Sequence, residues 1–433
     1  MGTLAKVPMP LGGINMGPNK RVIKDLDTDG TPVYTDVTVL AGGDPTSAVQ
    51  DAFGRLRVSA PATIFESTME YTAHDLLWDT YSSGLVSSGL STAGYLDLSV
   101  TGAGRLVRQT FQYHRYQPGK SQLIFMTGVL GSGISGVTKR IGYYDDSEGL
   151  FFEQAEDGLY VVRRTGGSDT RVHQDLWNIN KMGSSTEHPV DTTKAQIFVI
   201  DFEWLGVGSV RFGVVHDGLL FYVHQFVHAN IVTQPYMATG NLPVRYCIVS
   251  TGAPATLRQI CASVISEGGY DQNLNIASTA ITPAAGISAS QNVWTNIIAV
   301  RPKVIFGNKA NRAYASLGSI SIGASGASAM VRVVYGEIPV ASGIWTSTGP
   351  HSSLEYITGT IGITELLPVG STHVFVAGTG VNARNDSPIT PAKFQLPLAW
   401  DIYQTKARII VLQAQGMGGA ATVNAALNFQ EVY

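Results

Sequence analysis

The sequence is poor in charge and nearly without cysteine. Aspartate, glutamate, lysine and arginine make up 14% of its 433 residues, against roughly 25% in an ordinary soluble domain. The formal net charge is -3 and no lysine or arginine run stands out, so the chain builds no basic field of the kind that holds nucleic acid or acidic lipid. Two cysteines, Cys247 and Cys261, are too few for a disulfide framework. They sit in VRYCIVS and LRQICAS on either side of the short stretch TGAPA. If those segments pair, the thiols face each other, as reduced and small core residues. Nowhere do about 18 apolar residues run uninterrupted, so no membrane span is expected. The opening MGTLAKVPMPLGG holds no signal-peptide core, and Lys6 stands where a myristoylation motif wants Ser or Thr. A repeat of 20 to 50 residues is also missing, which argues against a propeller or solenoid.

What the chain does have is glycine, 48 residues of it, punctuating short apolar segments that alternate with a period of two. That rhythm is a strand signal, and helix signals are scarce. The expected fold is all-β: two β-sandwiches of jelly-roll type behind an extended N-terminal arm. Residues 1–60 are rich in Gly, Pro and Asp and read as a docking arm with one hairpin, ordered only on a partner. Residues 61–270 read as a concanavalin-like β-sandwich. A polar bridge, EGGYDQNLNIASTAITPAAGISASQN, separates it from a second β-sandwich at 276–433. The clearest hairpin is SVRFGVVHDGLLFYVHQF, where Asp217 and Gly218 suit a two-residue type I′ turn. An unbroken register from that turn sets Val214 opposite Phe221, Phe212 opposite Val223 and Arg211 opposite His224.

Several motifs touch on chemistry. Gly131, Gly133 and Gly136 have the G-x-G-x-x-G spacing of a dinucleotide-binding turn. Such a turn needs a helix directly after its last glycine. Here VTKRIGYYDD follows, and the first acidic residue, Asp145, comes nine positions on, where the fingerprint wants one about 20 on. The glycines are expected to join two strands. QPGKS (117–121) ends like a phosphate loop, but His114 replaces its first glycine. Asp25, Asp27, Asp29, Gly30 and Asp36 match positions 1, 3, 5, 6 and 12 of a calcium loop. Against calcium stand Pro32, an Asp where the loop wants Glu, and flanks that look extended, so a solvated acidic turn is expected. His216, His224 and His228 share strand parity, yet His216 and His224 fall roughly 16 Å apart along the hairpin. They cannot converge on one zinc ion and are expected at the surface or half-buried.

VIDFEWLG (199–206) resembles the strand signature E-I-D-F-E-F-L-G of the jelly-roll glycoside hydrolases that include xyloglucan transferases and bacterial endo-glucanases. The resemblance implies that Asp201 is the helper acid and Glu203 the acid/base, and it puts Val199 where the nucleophile belongs. A Val side chain forms no glycosyl-enzyme bond. Phe198, Ile200, Phe202 and Trp204 are expected in the core, with Asp201 and Glu203 on the opposite face, solvated or facing another subunit.

Five further stretches, DAFGRLRVSAPATIFES, VRQTFQYHRYQPGKSQLIFMTGVLG, GVTKRIGYYDDSEGLFFEQ, AQIFVIDFEWLGVGSVRFGVV and NLPVRYCIVSTG, together resemble tailed-bacteriophage virion proteins over roughly residues 51 to 270. That resemblance implies a structural, tail- or fibre-associated or capsid-associated part, not an enzyme. It would be assembled in the host cytoplasm into the virion, as a homo-oligomer for which a trimer is expected by fibre analogy. Its partners would be other virion proteins, with no nucleic acid and no cofactor. No catalytic, cofactor-binding or metal-ligating residue is assigned. Two alternatives remain. One is a receptor- or glycan-binding adhesion protein using exposed Tyr143, Tyr144 or Trp345, although these aromatics are expected first in the core. The other is a glycoside hydrolase of the jelly-roll class.

Overall fold

The computed structural model describes residues 21–26, 32–37, 51, 60–269, 276–359, 361–368, 374–376, 383–385 and 397–433. Their regular structure is strand, and the only helical piece among them is a 3-10 turn, Gln174–Leu176. None of the described helical segments is long and apolar enough to cross a membrane. Strands β1 (Arg21–Leu26) and β2 (Pro32–Val37) form the hairpin expected within the arm. Asp25 stands opposite Val33 and Asp36 opposite Val22, so strands flank the acidic turn where a calcium loop has helices. Asp27, Asp29 and Gly30 lie outside the described residues, as does most of the arm and with it the docking role.

Thirteen antiparallel strands follow: β3 (Ala62–Thr68), β4 (Trp78–Ser91), β5 (Tyr95–Thr110), β6 (Gln122–Val129), β7 (Val137–Tyr144), β8 (Gly149–Ala155) and β9 (Gly158–Thr165). The set continues with β10 (Ser168–His173), β11 (Gln196–Phe202), β12 (Val210–His216), β13 (Leu219–Phe226), β14 (Val244–Ser250) and β15 (Ala255–Ser266). They make one curled sheet in the order β10-β9-β8-β7-β14-β5-β15-β6-β11-β12-β13, with β3 added on β15 and β4 on β5. Curling lays β7 and β8 over β11 and β12, which closes a jelly-roll-like sandwich. Phe152 meets Phe198 at 4.8 Å and Phe212 at 5.2 Å between ring centroids, and Tyr143 meets Phe202 at 5.7 Å. The alternation of β11 supplies this core: Phe198, Ile200 and Phe202 are fully buried in it, and Trp204 packs against its edge.

Gly131, Gly133 and Gly136 lie in the connection from β6 to β7, and a strand, not a helix, follows the last of them. Gly133 is needed for close approach, since a Cβ there would meet the Glu156 carbonyl oxygen at 2.3 Å. At the hairpin tip both Asp217 (φ 50) and Gly218 (φ 77) are left-handed, as a type I′ turn demands. Val214 pairs with Phe221 as the turn predicts, but the register then shifts at Phe212/Gly213. Phe212 faces His224 and Arg211 faces Gln225, leaving Val223 as the extra residue of a β-bulge. The cysteines also depart from expectation. Cys247 on β14 is buried, Cys261 on β15 is half-buried, and the two strands follow one another along the same side of β5, with β4 on its other side. After Ser250 the chain runs on along β5 instead of turning back beside β14, so the thiols do not face each other.

The second sandwich stacks two sheets. One contains Ile276–Ile281, Ile287–Ala289, Tyr314–Ser325, Ala383–Asn385 and Ala421–Val432. The other is built on Thr295–Pro302, Ser328–Pro339, Leu354–Thr358 and Lys406–Met417. Ile320, Leu427 and Phe429 of the first pack with Ile298, Val331 and Leu412 of the second. The two sandwiches touch: Tyr81 meets Tyr403 at 4.4 Å, the Asp79 carboxylate accepts the Ile402 N–H at 2.8 Å, and Arg312 pairs with Asp145.

Candidate functional site

The residues on β11 that alternate with Phe198, Ile200 and Phe202 face away from the aromatic core, and among them is Asp201. It is fully buried, which corrects the expectation of a solvated or subunit-facing carboxylate. Its Oδ2 accepts from Arg211 Nη2 at 2.5 Å and Nε at 3.1 Å and from the Tyr222 hydroxyl at 2.6 Å, while Oδ1 accepts from Ser121 Oγ at 2.9 Å. Arg211 stands directly opposite Asp201 in the β11–β12 ladder, so register alone delivers the ion pair. Tyr222 arrives from β13, across β12, by way of the bulge. Its partner there is Gly213, where a Cβ would meet the Tyr222 ring at 3.3 Å and the Leu220 side chain at 2.8 Å. The missing side chain lets the phenol lie over β12, with the Arg211 guanidinium carbon 4.1 Å from its ring centroid.

Glu203 follows the last residue of β11 and is 1% exposed, again against the expectation of a solvated carboxylate. A tight turn holds it: Glu203 N–H donates to the Ser209 carbonyl and Gly208 N–H to that of Trp204. Leu205 and Gly206 turn the chain with φ of 36° and 76°, and Gly208 leaves no room for a Cβ, which would fall 1.7 Å from the Glu203 carbonyl oxygen. Beside this turn Tyr116 stacks on Phe202 at 5.7 Å. Burial, and then the Glu203 carboxylate, push the Tyr116 phenol up to about 12. Val199, also fully buried, pairs with Phe125 on one side and Gly213 on the other. The place of the absent nucleophile is therefore apolar packing.

The other sequence candidates separate. Tyr143 and Tyr144 are buried, and Trp345 is half-buried under the Arg301 guanidinium at 4.0 Å, so none is an open platform for a sugar ring. His216 pairs with Leu219 at the hairpin tip as expected. His224 and His228 are more buried than expected. Burial pulls His224 down to about 4, and the Asn178 N–H donates to its Nδ1. His228 stacks flat on Tyr236 at 3.9 Å, and its Nδ1 lies 2.6 Å from the Gly208 carbonyl. Sequence reasoning missed Ser121, Arg211 and Tyr222 as partners of Asp201, and also His188, which the fold brings to His216. The strand pairing of Asp201 with Arg211 was the one readable signal, and the bulge hid the rest.

No family model and no curated protein matches the chain. Among solved structures it is similar to a β-glucanase from Bacillus licheniformis, at 13% identity and a TM-score of 0.31 over 47% of this chain and 97% of that one. A glycoside hydrolase family 16 protein from Mycobacterium smegmatis aligns at 10% identity and 0.32, over 47% and 100%. An endo-β-1,4-glucuronan lyase from Trichoderma reesei aligns at 13% and 0.27, over 47% and 95%. These neighbours are hydrolases and a lyase, which stands against the expectation that the chain is not an enzyme, and at this identity the likeness is one of fold. Nothing in the comparisons points to a virion protein.

Proposed function

We propose that the chain acts on β-linked glycans with the sheet face that carries Asp201, Glu203, Arg211 and Tyr222. The observation that supports this is the Asp201 cluster, in which a carboxylate, a guanidinium and a phenol are drawn together on the face opposite the core. Such a network, already oriented by its own hydrogen bonds, would bind and polarise a hydroxyl-rich ligand once that face is open. The roles divide by what each oxygen already does. Asp201 is held by Ser121, Arg211 and Tyr222 and acts as an orienting charge, while Glu203 in its tight turn moves the proton. With Val199 in place of a carboxylate, no glycosyl-enzyme bond forms there. Cleavage then proceeds by direct attack of water: Glu203 gives its proton to the leaving glycosidic oxygen, and Asp201, besides orienting the ligand, takes the proton that the water loses, the inverting course. Burial sets a condition, because a glycan reaches these carboxyls only when the segments packed over that face part from it.

The test is incubation of the full chain with soluble β-glucans, following reducing ends and the anomeric form of the product. New ends with inverted configuration are expected. Glu203→Gln should slow their release by at least about 100-fold while retention in a glycan-containing gel is kept. Neither retention nor release with any β-glucan would remove the reading.

A second reading, assembly of identical chains as part of a tailed-phage virion, is supported by a different observation. Strand β4 is 14 residues long, pairs with β5 on one side, and exposes Leu85 and Leu90 at 62% and 42%. A long open edge that exposes leucines is normally covered in the working form of a protein. Sedimentation of the full chain should show an oligomer, with a trimer expected, that dissociates in Leu85→Asp/Leu90→Asp. A monomer at all concentrations would count against assembly through this edge.

A further inference from the structure

We infer that the tip of the β12–β13 hairpin and the loop lying over it form a binding site for a divalent transition-metal ion of the zinc class, with His188, His216 and Asp217 as ligands. His216 ends β12 and Asp217 opens the turn. His188 belongs to the long connection between the 3-10 turn at 174–176 and β11. One ligand atom from each of the three lies within 4.8 Å of the others. Asp217 Oδ2 is 3.2 Å from His216 Nδ1 and 3.8 Å from His188 Nδ1. Ligand atoms around one tetrahedral zinc, at bonds of about 2.0–2.1 Å, lie roughly 3.3 Å apart. The set is therefore within a small side-chain rotation of coordination geometry.

The second observation is that both Nδ1 atoms are shielded from solvent and hydrogen-bond to nothing. Two imidazole nitrogens converge on one carboxylate, and a single proton on one ring would satisfy only that ring. A metal ion satisfies both. The rings are also held in place. His188 packs on Phe221 at 4.8 Å and lies 5.1 Å from His216, and its loop is tied down by the Val190 N–H bond to the Met182 carbonyl and by Val190 against the core. Two nitrogens and one carboxylate suit zinc, cobalt, nickel or copper and do not suit calcium or magnesium, which need more oxygens. Three protein ligands leave a fourth position open. The ion would staple the connecting loop to the hairpin and present that position outward. Five residues of β12 separate His216 from Arg211, roughly 16 Å of strand, so this site stands or falls independently of the Asp201 face.

The experiment titrates Zn²⁺ into chelator-treated, dialysed full chain by calorimetry, with Co²⁺ absorption as a check of coordination. One equivalent per chain and a tetrahedral cobalt spectrum are expected. His188→Ala and His216→Ala should each weaken binding by at least the roughly 10- to 100-fold that even an outer partner of a ligand costs. Asp217→Asn, which tolerates the left-handed turn, should weaken it too, and His351→Ala, exposed and elsewhere, should leave it unchanged. Added Zn²⁺ should raise Tm in the unaltered chain and not in the two histidine variants. No binding at micromolar Zn²⁺, or binding in both histidine variants as tight as in the unaltered chain, overturns the site.

Discussion

Glu431 carries a fully buried carboxylate into a nest of neutral donors. Ser352 Oγ donates to Oε1 at 2.5 Å, Ser278 Oγ also donates to Oε1, and Ser353 gives its N–H and its hydroxyl to Oε2, both at 2.6 Å. Removing such an acceptor leaves the donors buried and unmade, each at about 1–3 kcal/mol. Glu431→Gln is gentler, because its carbonyl can face the Ser353 N–H while the Ser278 and Ser352 hydroxyls rotate to accept from its NH₂. Urea unfolding should rank the wild type above Glu431→Gln, and that above Glu431→Ala, with the alanine variant down by about 3 kcal/mol or more. Equal losses in the two variants would show that the nest is not what holds the carboxylate. In the sequence, the alternation of Val423, Ala425, Leu427 and Phe429 puts Glu431 on the core side of its strand, which is legible. Its three serine partners lie about 80 and about 150 positions away and carry no local mark. The same holds at Asp201. Its face could be read from Phe198, Ile200 and Phe202, but its burial could not, because Ser121, just before β6, and Tyr222, on β13, are distant in the sequence.

At the scale of elements, strands whose two faces differ were readable and strands whose faces are alike were not. β11, β12 and β13 alternate because one face meets the core. β4, a run of Ser and Gly exposed on both faces over most of its length, has no period to detect and passed unrecognised. Turn chemistry was legible where two left-handed residues must adjoin, as at Asp217 and Gly218. The bulge was not, since it depends on what Gly213 must let pass over it: the Tyr222 ring reaching for Asp201. Connection is the third limit. TGAP between β14 and β15 has the composition of a hairpin loop, yet the chain runs straight on along β5 there, and only the strand pairing shows why the two cysteines are kept apart.

For the whole molecule the buried histidines set the response to acid. His114 is fully buried, packed on Phe65 at 4.8 Å, and burial pulls it down to about 3. His224 is drawn to about 4 and His228 also downward, both by burial. A histidine held neutral in the fold takes up its proton more readily in the unfolded chain, from the ordinary value near 6.5 downward. Stability is therefore lost as pH falls from about 6.5 toward each folded value, at up to about 1.4 kcal/mol per pH unit for each such group. Asp146, held below the usual carboxylate range by Arg245 and Arg105 against the opposing effect of burial, adds to the loss as it is protonated through its lowered folded value. Asp79, raised chiefly by burial at the contact between the sandwiches, works the other way, because its protonation is easier in the fold. His114→Phe keeps the aromatic packing and removes one titrating group. Its urea midpoint should fall less steeply than that of the wild type between about pH 6 and pH 4, a difference worth about 3 kcal/mol by pH 4. Parallel profiles for the two chains would mean that His114 takes up its proton in the fold as readily as in the unfolded chain, and that the acid response lies in the other groups.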